Sequence, residues 1–178
     1  MNAAAREPRA MTVILALLRG VNVGGHKRVP MAELRELCAE LGFEEARTYI
    51  QSGNAVFRSR LKADAAASRL AAGLERRFGF PVEVVARTAA QWDGHVEANP
   101  LQRLAAEDPS HVLLGLAGKS LRPAAAVELQ EHARGGERVE VAGGALYVLY
   151  AGGIARSKLS PALIDRCAGA TVTARNWR

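Results

Sequence analysis

The sequence predicts an α+β protein in which one order of elements (strand, helix, strand, strand, helix, strand) occurs twice in succession. Three observations carry this. Two strand candidates, the apolar run Val13–Leu18 and the segment His111–Leu116, each begin a half of the chain. Each run is followed by apolar residues at helical spacing that stop at glycine. Each half also holds two β-rich runs joined by a short glycine-containing turn, which is a hairpin signal.

The first strand is Thr12–Leu18, continuously apolar and β-branched at its start, as a mid-sheet strand requires. Pro30 suits the first position of a helix, Met31, Leu34, Cys38 and Leu41 recur at helical spacing, and Gly42 provides the stop. Arg47–Gln51 reads as a strand, Ser52-Gly53-Asn54 as a tight turn and Ala55–Ser59 as the returning strand. Asp64 is placed to cap a second helix whose Ala67, Leu70, Ala71, Leu74 and Phe78 share one face, with Gly79 as its stop. Pro81–Ala86 reads as a fourth strand. Thr88-Ala89-Ala90-Gln91 resembles a capping box that begins a short connecting helix through Val96, and polar residues up to Ser110 form the link between halves.

The order then returns. His111–Leu116 is a strand, Pro123–Ala133 a helix, Arg138–Val141 and Ala145–Tyr150 a hairpin around Gly143-Gly144. Ser160-Pro161 begins a helix through Cys167, Gly169 stops it, and Thr171–Ala174 is the last strand. Two β-α-β-β-α-β units in a row imply two tandem ferredoxin-like half-domains packed together. The expected boundaries are a flexible tail over 1–10, with Met11 as a candidate start, a first half over 11–87, a linker over 88–110 and a second half over 111–178. The repeat lies in the order of elements, not in residue-by-residue identity.

Composition narrows the function. Net charge is +6, from 24 basic and 18 acidic residues, which favours anionic partners. Cys38 and Cys167 sit at core positions of helices, as reduced thiols do in a cytoplasmic protein. The longest apolar run ends at Arg19, too short for a membrane span or a secretory leader.

The stretch Arg19–Pro30 is the prime candidate site. Gly24 and Gly25 let the backbone wrap closely around a ligand. Arg19, His26, Lys27 and Arg28 supply positive charge, and Asn22 adds an amide. A helix follows at once, and its unpaired N–H groups favour an anion. Gln51, Ser52 and Asn54 offer amide and hydroxyl groups on the hairpin turn, although turn chemistry alone explains a Gly-Asn pair. Ser157 and Lys158, beside Arg156, form a second basic loop before a helix, which solvated surface charge equally explains. Arg175, Asn176, Trp177 and Arg178 end the chain, and a Trp between arginines either stacks a base or seals a core edge.

Other motifs fail on spacing. Gly118-Lys119-Ser120 lacks the first glycine of a phosphate-binding P-loop, where Leu113 stands. Ile50 occupies the first glycine position of a nucleophile elbow around Ser52. The hairpin strand carries one aromatic, Phe57, where an RNA-recognition sheet needs several. No His, Cys or Asp spacing suits a metal, and no cofactor motif is present.

Taken together, Leu17-Leu18-Arg19-Gly20-Val21-Asn22-Val23-Gly24-Gly25, Val29-Pro30-Met31-Ala32-Glu33-Leu34, Thr48-Tyr49-Ile50-Gln51-Ser52-Gly53-Asn54, Ser157-Lys158-Leu159 and Ala174-Arg175-Asn176-Trp177 resemble a bacterial family of unknown function, domain of unknown function 1697. The resemblance runs from about Met11 to the C-terminus and implies a cytosolic α+β protein of tandem ferredoxin-like build, without a reaction. Two departures stand out. Ala151-Gly152-Gly153 replaces a proline-glycine segment, and the chain stops at Arg178 where family members run on into another helix.

The expected function is binding of a phosphate-bearing small molecule or nucleotide at loop 19–30. The alternatives are a phosphoryl or acyl-phosphate hydrolase of acylphosphatase-like logic, with Arg19 and Asn54 in the charge-stabilising parts, and nonspecific nucleic-acid binding through the net charge. No membrane partner is expected, and the edges of such sheets admit a homodimer.

Overall fold

The structure is a computed structural model that describes residues 10–178. Apart from Ala10, the expected flexible tail lies outside the described residues. The chain is mixed α+β, with two four-stranded antiparallel sheets and, among the described residues, six helices. The described residues divide into two compact units, one that ends at Ala90 and one over Gln91–Arg178.

In the first unit β1 (Thr12–Leu18), α1 (Met31–Glu40), β2 (Glu44–Tyr49), β3 (Asn54–Ser59), α2 (Ala63–Phe78) and β4 (Val84–Thr88) follow in order. The sheet order is β2-β3-β1-β4. The strand β1 lies in mid-sheet because it is apolar on both faces. Its Ile14, Ala16 and Leu18 join α1 and α2 in a core with Leu34, Leu70, Leu74 and Phe57. Phe57 stacks on Phe43 with ring centroids 4.2 Å apart, so the one aromatic of β3 is core.

Three boundaries differ from expectation. The strand β2 begins at Glu44, not Arg47, and ends at Tyr49, leaving Gln51 in the turn. A bulge between Glu44 and Arg47, with Glu45 at φ +52°, hides this edge strand from a period-two reading. The last strand of the unit runs over Val84–Thr88 rather than Pro81–Ala86, since Pro81 has no N–H to give a ladder. Asp64 does not cap α2. Lys62 stands at that position without a side-chain bond, and the cap oxygen falls one turn early, where Ser59 Oγ accepts from Leu61 N at 3.1 Å.

The second unit contains most of α3 (Ala89–Glu97), then α4 (Gln102–Glu107), β5 (Val112–Ala117), α5 (Pro123–His132), β6 (Arg138–Ala142), β7 (Ala145–Leu149), a 3-10 turn at Ile154–Arg156, α6 (Pro161–Ala168) and β8 (Val172–Asn176). Its sheet order is β6-β7-β5-β8. The segment 88–110 is thus largely helical, with Leu101 and Ala105 buried. Ser160 caps α6, its Oγ accepting from Leu163 N at 3.3 Å. Strand β8 reaches Asn176, so Arg175 and Asn176 are strand residues rather than a tail.

Register reveals a likeness between the halves that sequence inspection misses. Leu15 pairs with Arg87 across β1–β4, and Leu114 pairs with Arg175 across β5–β8. Aligned on those pairs, Val84-Val85-Ala86-Arg87-Thr88 matches Val172-Thr173-Ala174-Arg175-Asn176, and Val13-Ile14-Leu15-Ala16-Leu17 matches Val112-Leu113-Leu114-Gly115-Leu116. Burial lowers the pKa of both arginines, Arg175 to about 10.

Candidate functional site

Strand pairing decides what meets loop 19–30. Strands β1 and β2 both run antiparallel to β3, so their C-terminal ends lie at the same end of the first sheet, together with the start of β4. Leu18 N donates to Gly53 O at 2.9 Å and Arg19 N to Glu83 O at 2.9 Å. This end therefore gathers Arg19, Asn22, Gly24, Gly25, Lys27, Arg28, Gln51, Ser52 and Asn54.

Asn22 holds the arrangement together. Its backbone is left-handed, φ +58°, which Asn tolerates better than most residues. Its Nδ2 donates to Val29 O at 2.9 Å and to Gln51 O at 2.8 Å, and its Oδ1 accepts from Val29 N at 2.8 Å. One side-chain amide thus closes the loop on itself and ties it to the β2–β3 turn. Gly24 and Gly25, at φ +58° and +79°, form the tight reversal between Val23 and His26, with His26 N donating to Val23 O at 3.2 Å. The glycines shape the loop. Lys27, also left-handed at φ +47°, donates from Nζ to Pro81 O at 2.9 Å. His26 and Arg28 are exposed.

The hairpin turn is equally ordered. Asn54 Nδ2 donates to Ser52 Oγ at 3.0 Å and to Tyr49 O at 3.3 Å. Gly53, φ +74°, lies so close to Leu18 and Val21 that a Cβ there would sit 2.6 Å from Val21 Cγ2. Ile50 is left-handed at φ +50°, an outlier for a β-branched residue. The side-chain amides of Asn22 and Asn54 are committed to the fold here. The helix α1 then starts after Pro30 with no side-chain cap.

The second unit brings its own candidates together at one end of its sheet. Ser157 Oγ donates to Glu137 Oε1 at 2.5 Å and accepts from Leu159 N at 3.1 Å. Glu137 Oε2 accepts from Gly135 N at 2.7 Å. Lys158 is exposed in the same connection. Asn176 Nδ2 donates to Ser110 O at 3.2 Å, Arg175 Nη1 to Thr173 Oγ1 at 3.0 Å, and the Trp177 ring lies 6.4 Å from that of Tyr147. Trp177 is half-buried against the second unit, as the core-edge reading expects.

Sequence reasoning missed Glu137 and the cluster Asp108, Ser110 and His111. Asp108 Oδ1 accepts from Ser110 Oγ at 2.6 Å, and its Oδ2 lies 2.5 Å from His111 Nδ1. Those bonds, the one from Ser110 foremost, hold its carboxyl below the usual range. Asp followed two residues later by Ser is an Asx-turn signal that locates this cluster locally. Glu137 carries no local signal, since Ser157 comes from a distant segment.

The bond from Ser157 likewise holds the buried Glu137 carboxyl below its ordinary value, with backbone N–H groups assisting against desolvation. The sign follows from linkage: a depressed folded pKa contributes stability that is present above the unfolded value of about 4.3 and lost as pH falls through the folded value. Urea denaturation from pH 7 downward should show stability falling below about pH 4.3, with a shallower fall in Glu137→Gln. Identical acid limbs for the two proteins would contradict it.

Among the described residues no group of three or more His, Cys, Asp or Glu is placed to hold a metal ion, and no helix is long and apolar enough to cross a membrane. No curated protein matches the chain. Among solved structures it is similar to the conserved bacterial protein SP0830 from Streptococcus pneumoniae, at 22% identity and a TM-score of 0.72, over 94% of this chain and 93% of that one. That likeness concerns the fold. Residues 11–147, well over half of the sequence, match the family described as protein of unknown function, DUF1697, and the chain belongs to that family.

Proposed function

We propose that the chain binds a phosphate-bearing small molecule at the end of its first sheet, where loop 19–30 leads into α1. The observation that carries this reading is the first turn of α1. Pro30 precedes it without a side-chain cap, and the loop above it is held in shape by Asn22 while His26 and Arg28 stay exposed. Uncapped N–H groups and the positive end of the helix favour a phosphate, and a preformed loop lowers the ordering cost of binding. Arg28 is the ligand-facing cation in this reading and His26 a neighbouring hydrogen-bonding group, while Asn22, Gly24 and Gly25 build the loop.

We read each unit as a ferredoxin-like fold, a reading supported by the orders β2-β3-β1-β4 and β6-β7-β5-β8. A cytosolic setting is supported by two free, buried thiols, with burial pushing Cys38 up to about 11.

A thermal-shift panel of inorganic phosphate, sugar phosphates, acyl phosphates and nucleotides tests the site. A ligand at about a hundred times its Kd should stabilise the protein by roughly 2.7 kcal/mol. The double variant His26→Ala, Arg28→Ala should lose that shift while keeping its unliganded Tm. Silence across the panel, or a shift unchanged in the double variant, would overturn the reading.

A further inference from the structure

Strand β6 is an edge of the second sheet, paired with β7 on one side only. The two-residue turn Gly143-Gly144 sets Ala142 opposite Ala145, so Ala142, Glu140 and Arg138 turn their N–H and C=O groups toward β7. Glu137, Val139 and Val141 turn theirs outward. A row of outward backbone groups is a template for another strand.

Gln130, on α5, occupies that template. Its Nε2 donates to Glu137 O at 3.0 Å, and its Oε1 accepts from Val139 N at 2.9 Å. A carboxamide carries the donor and the acceptor of a peptide group, so this side chain makes the two contacts that a fifth strand would make. The opposite edge is treated alike. Val172 N of β8 donates to Asp165 Oδ1 at 2.9 Å, again a side chain of the neighbouring helix.

What the bare β6 edge would accept is set by its own sequence, Arg138-Val139-Glu140-Val141-Ala142. Two copies paired antiparallel about Val139 bring Val139 opposite Val139 and Val141 opposite Glu137. Each Arg138 then lies opposite the Glu140 of the other copy, so the pairing is self-complementary in charge as a two-fold interface requires. Val127, 64% exposed and three residues before Gln130, lies on the same side of α5 and adds apolar surface beside this edge.

We propose that Gln130 is an edge stop, which withholds β6 from antiparallel pairing with β6 of a second copy of the chain. Pairing requires each copy to give up the two bonds of its Gln130. One net hydrogen bond corresponds to about 5-fold in an equilibrium constant, so Gln130→Ala should strengthen self-association by about 100- to 1000-fold. Gln130→Glu keeps the acceptor for Val139 N and lacks the donor, and should fall between the two.

Sedimentation equilibrium of the full chain over a concentration series reads this, with far-UV circular dichroism checking that each variant keeps its fold. Adding Glu140→Arg to Gln130→Ala sets like charges opposite each other and should abolish the gain, and adding Arg138→Glu as well should restore it. Amide exchange at Val139 should be slow in the unmodified protein, fast in dilute Gln130→Ala and slow again where that variant associates. Self-association no stronger in the two Gln130 variants than in the unmodified protein would overturn the proposal. So would association indifferent to the charge at residue 140, which marks aggregation of a damaged fold.

Discussion

Replacing Asn22 by Ala is expected to destabilise the first unit by about 3 kcal/mol, because one side chain makes three hydrogen bonds there. Each such bond contributes about 1 kcal/mol net, and loss of the acceptor strands the N–H of Val29, which is fully buried. Ala in a left-handed backbone adds a further cost of about 1 kcal/mol that Asn partly avoids. Asn22→Gly separates the two contributions. It loses the same bonds without the steric cost and should be less destabilised than Asn22→Ala by about 1 kcal/mol. Urea denaturation followed by far-UV circular dichroism reads both. A change below about 1 kcal/mol in Asn22→Ala would mean that loop and turn hold their places without the amide. The ligand site would suffer alongside, since the cations of loop 19–30 are displayed by a loop that Asn22 shapes.

Gly53→Ala should cost about as much by a different route. A Cβ at this position would sit 2.6 Å from Val21 Cγ2 and 2.8 Å from Leu18 Cβ. Both neighbours are buried, at 2% and 1% exposure, and Leu18 N is bonded to Gly53 O, so neither can retreat without disturbing the core. Overpacking of this kind costs about 1–3 kcal/mol, and the left-handed φ of +74° adds about 1–2 kcal/mol. Gly42→Ala is the control. Gly42 has φ +76° and nothing within 4 Å of its Cβ direction, so it should show the backbone cost alone. A Gly53→Ala variant no less stable than Gly42→Ala would show that the β2–β3 turn yields to make room.

Much of the fold was legible because its signals are local. The run Val13–Leu18 is apolar on both sides, and a strand with neighbours along both edges is where so short an apolar segment fits, as the pairing of β1 with β3 and β4 shows. Gly79 and Gly169 mark helix ends because a left-handed C-cap is a local conformational demand, and both glycines meet it at φ +76° and +60°. Ser160-Pro161 was legible for the same reason. The errors fall where a local rule meets a long-range one. Glu44 is a poor strand former, yet it pairs opposite Arg58 because β3 is already held by β1. Arg175 and Asn176 look like a polar tail, yet β5 offers them partners as far as Leu113.

The candidate site divides in the same way. Its charge and glycines could be read from residues 19–30, and the shape of the Gly24-Gly25 reversal is a local matter. The role of Asn22 could not be read, because its partner Gln51 O lies 29 residues away. Nor could the closeness of Gly53 to Leu18, or the hold of Ser157 on Glu137 across 20 residues. By itself the sequence determined the kinds of element, most of their ends, the core positions and the family. The tertiary structure alone decided which loops share an end of a sheet and which amides serve the fold rather than a ligand. The physical reason is that propensity and periodicity act over one or two turns of chain, whereas a hydrogen bond needs a partner that only strand pairing brings within 3 Å.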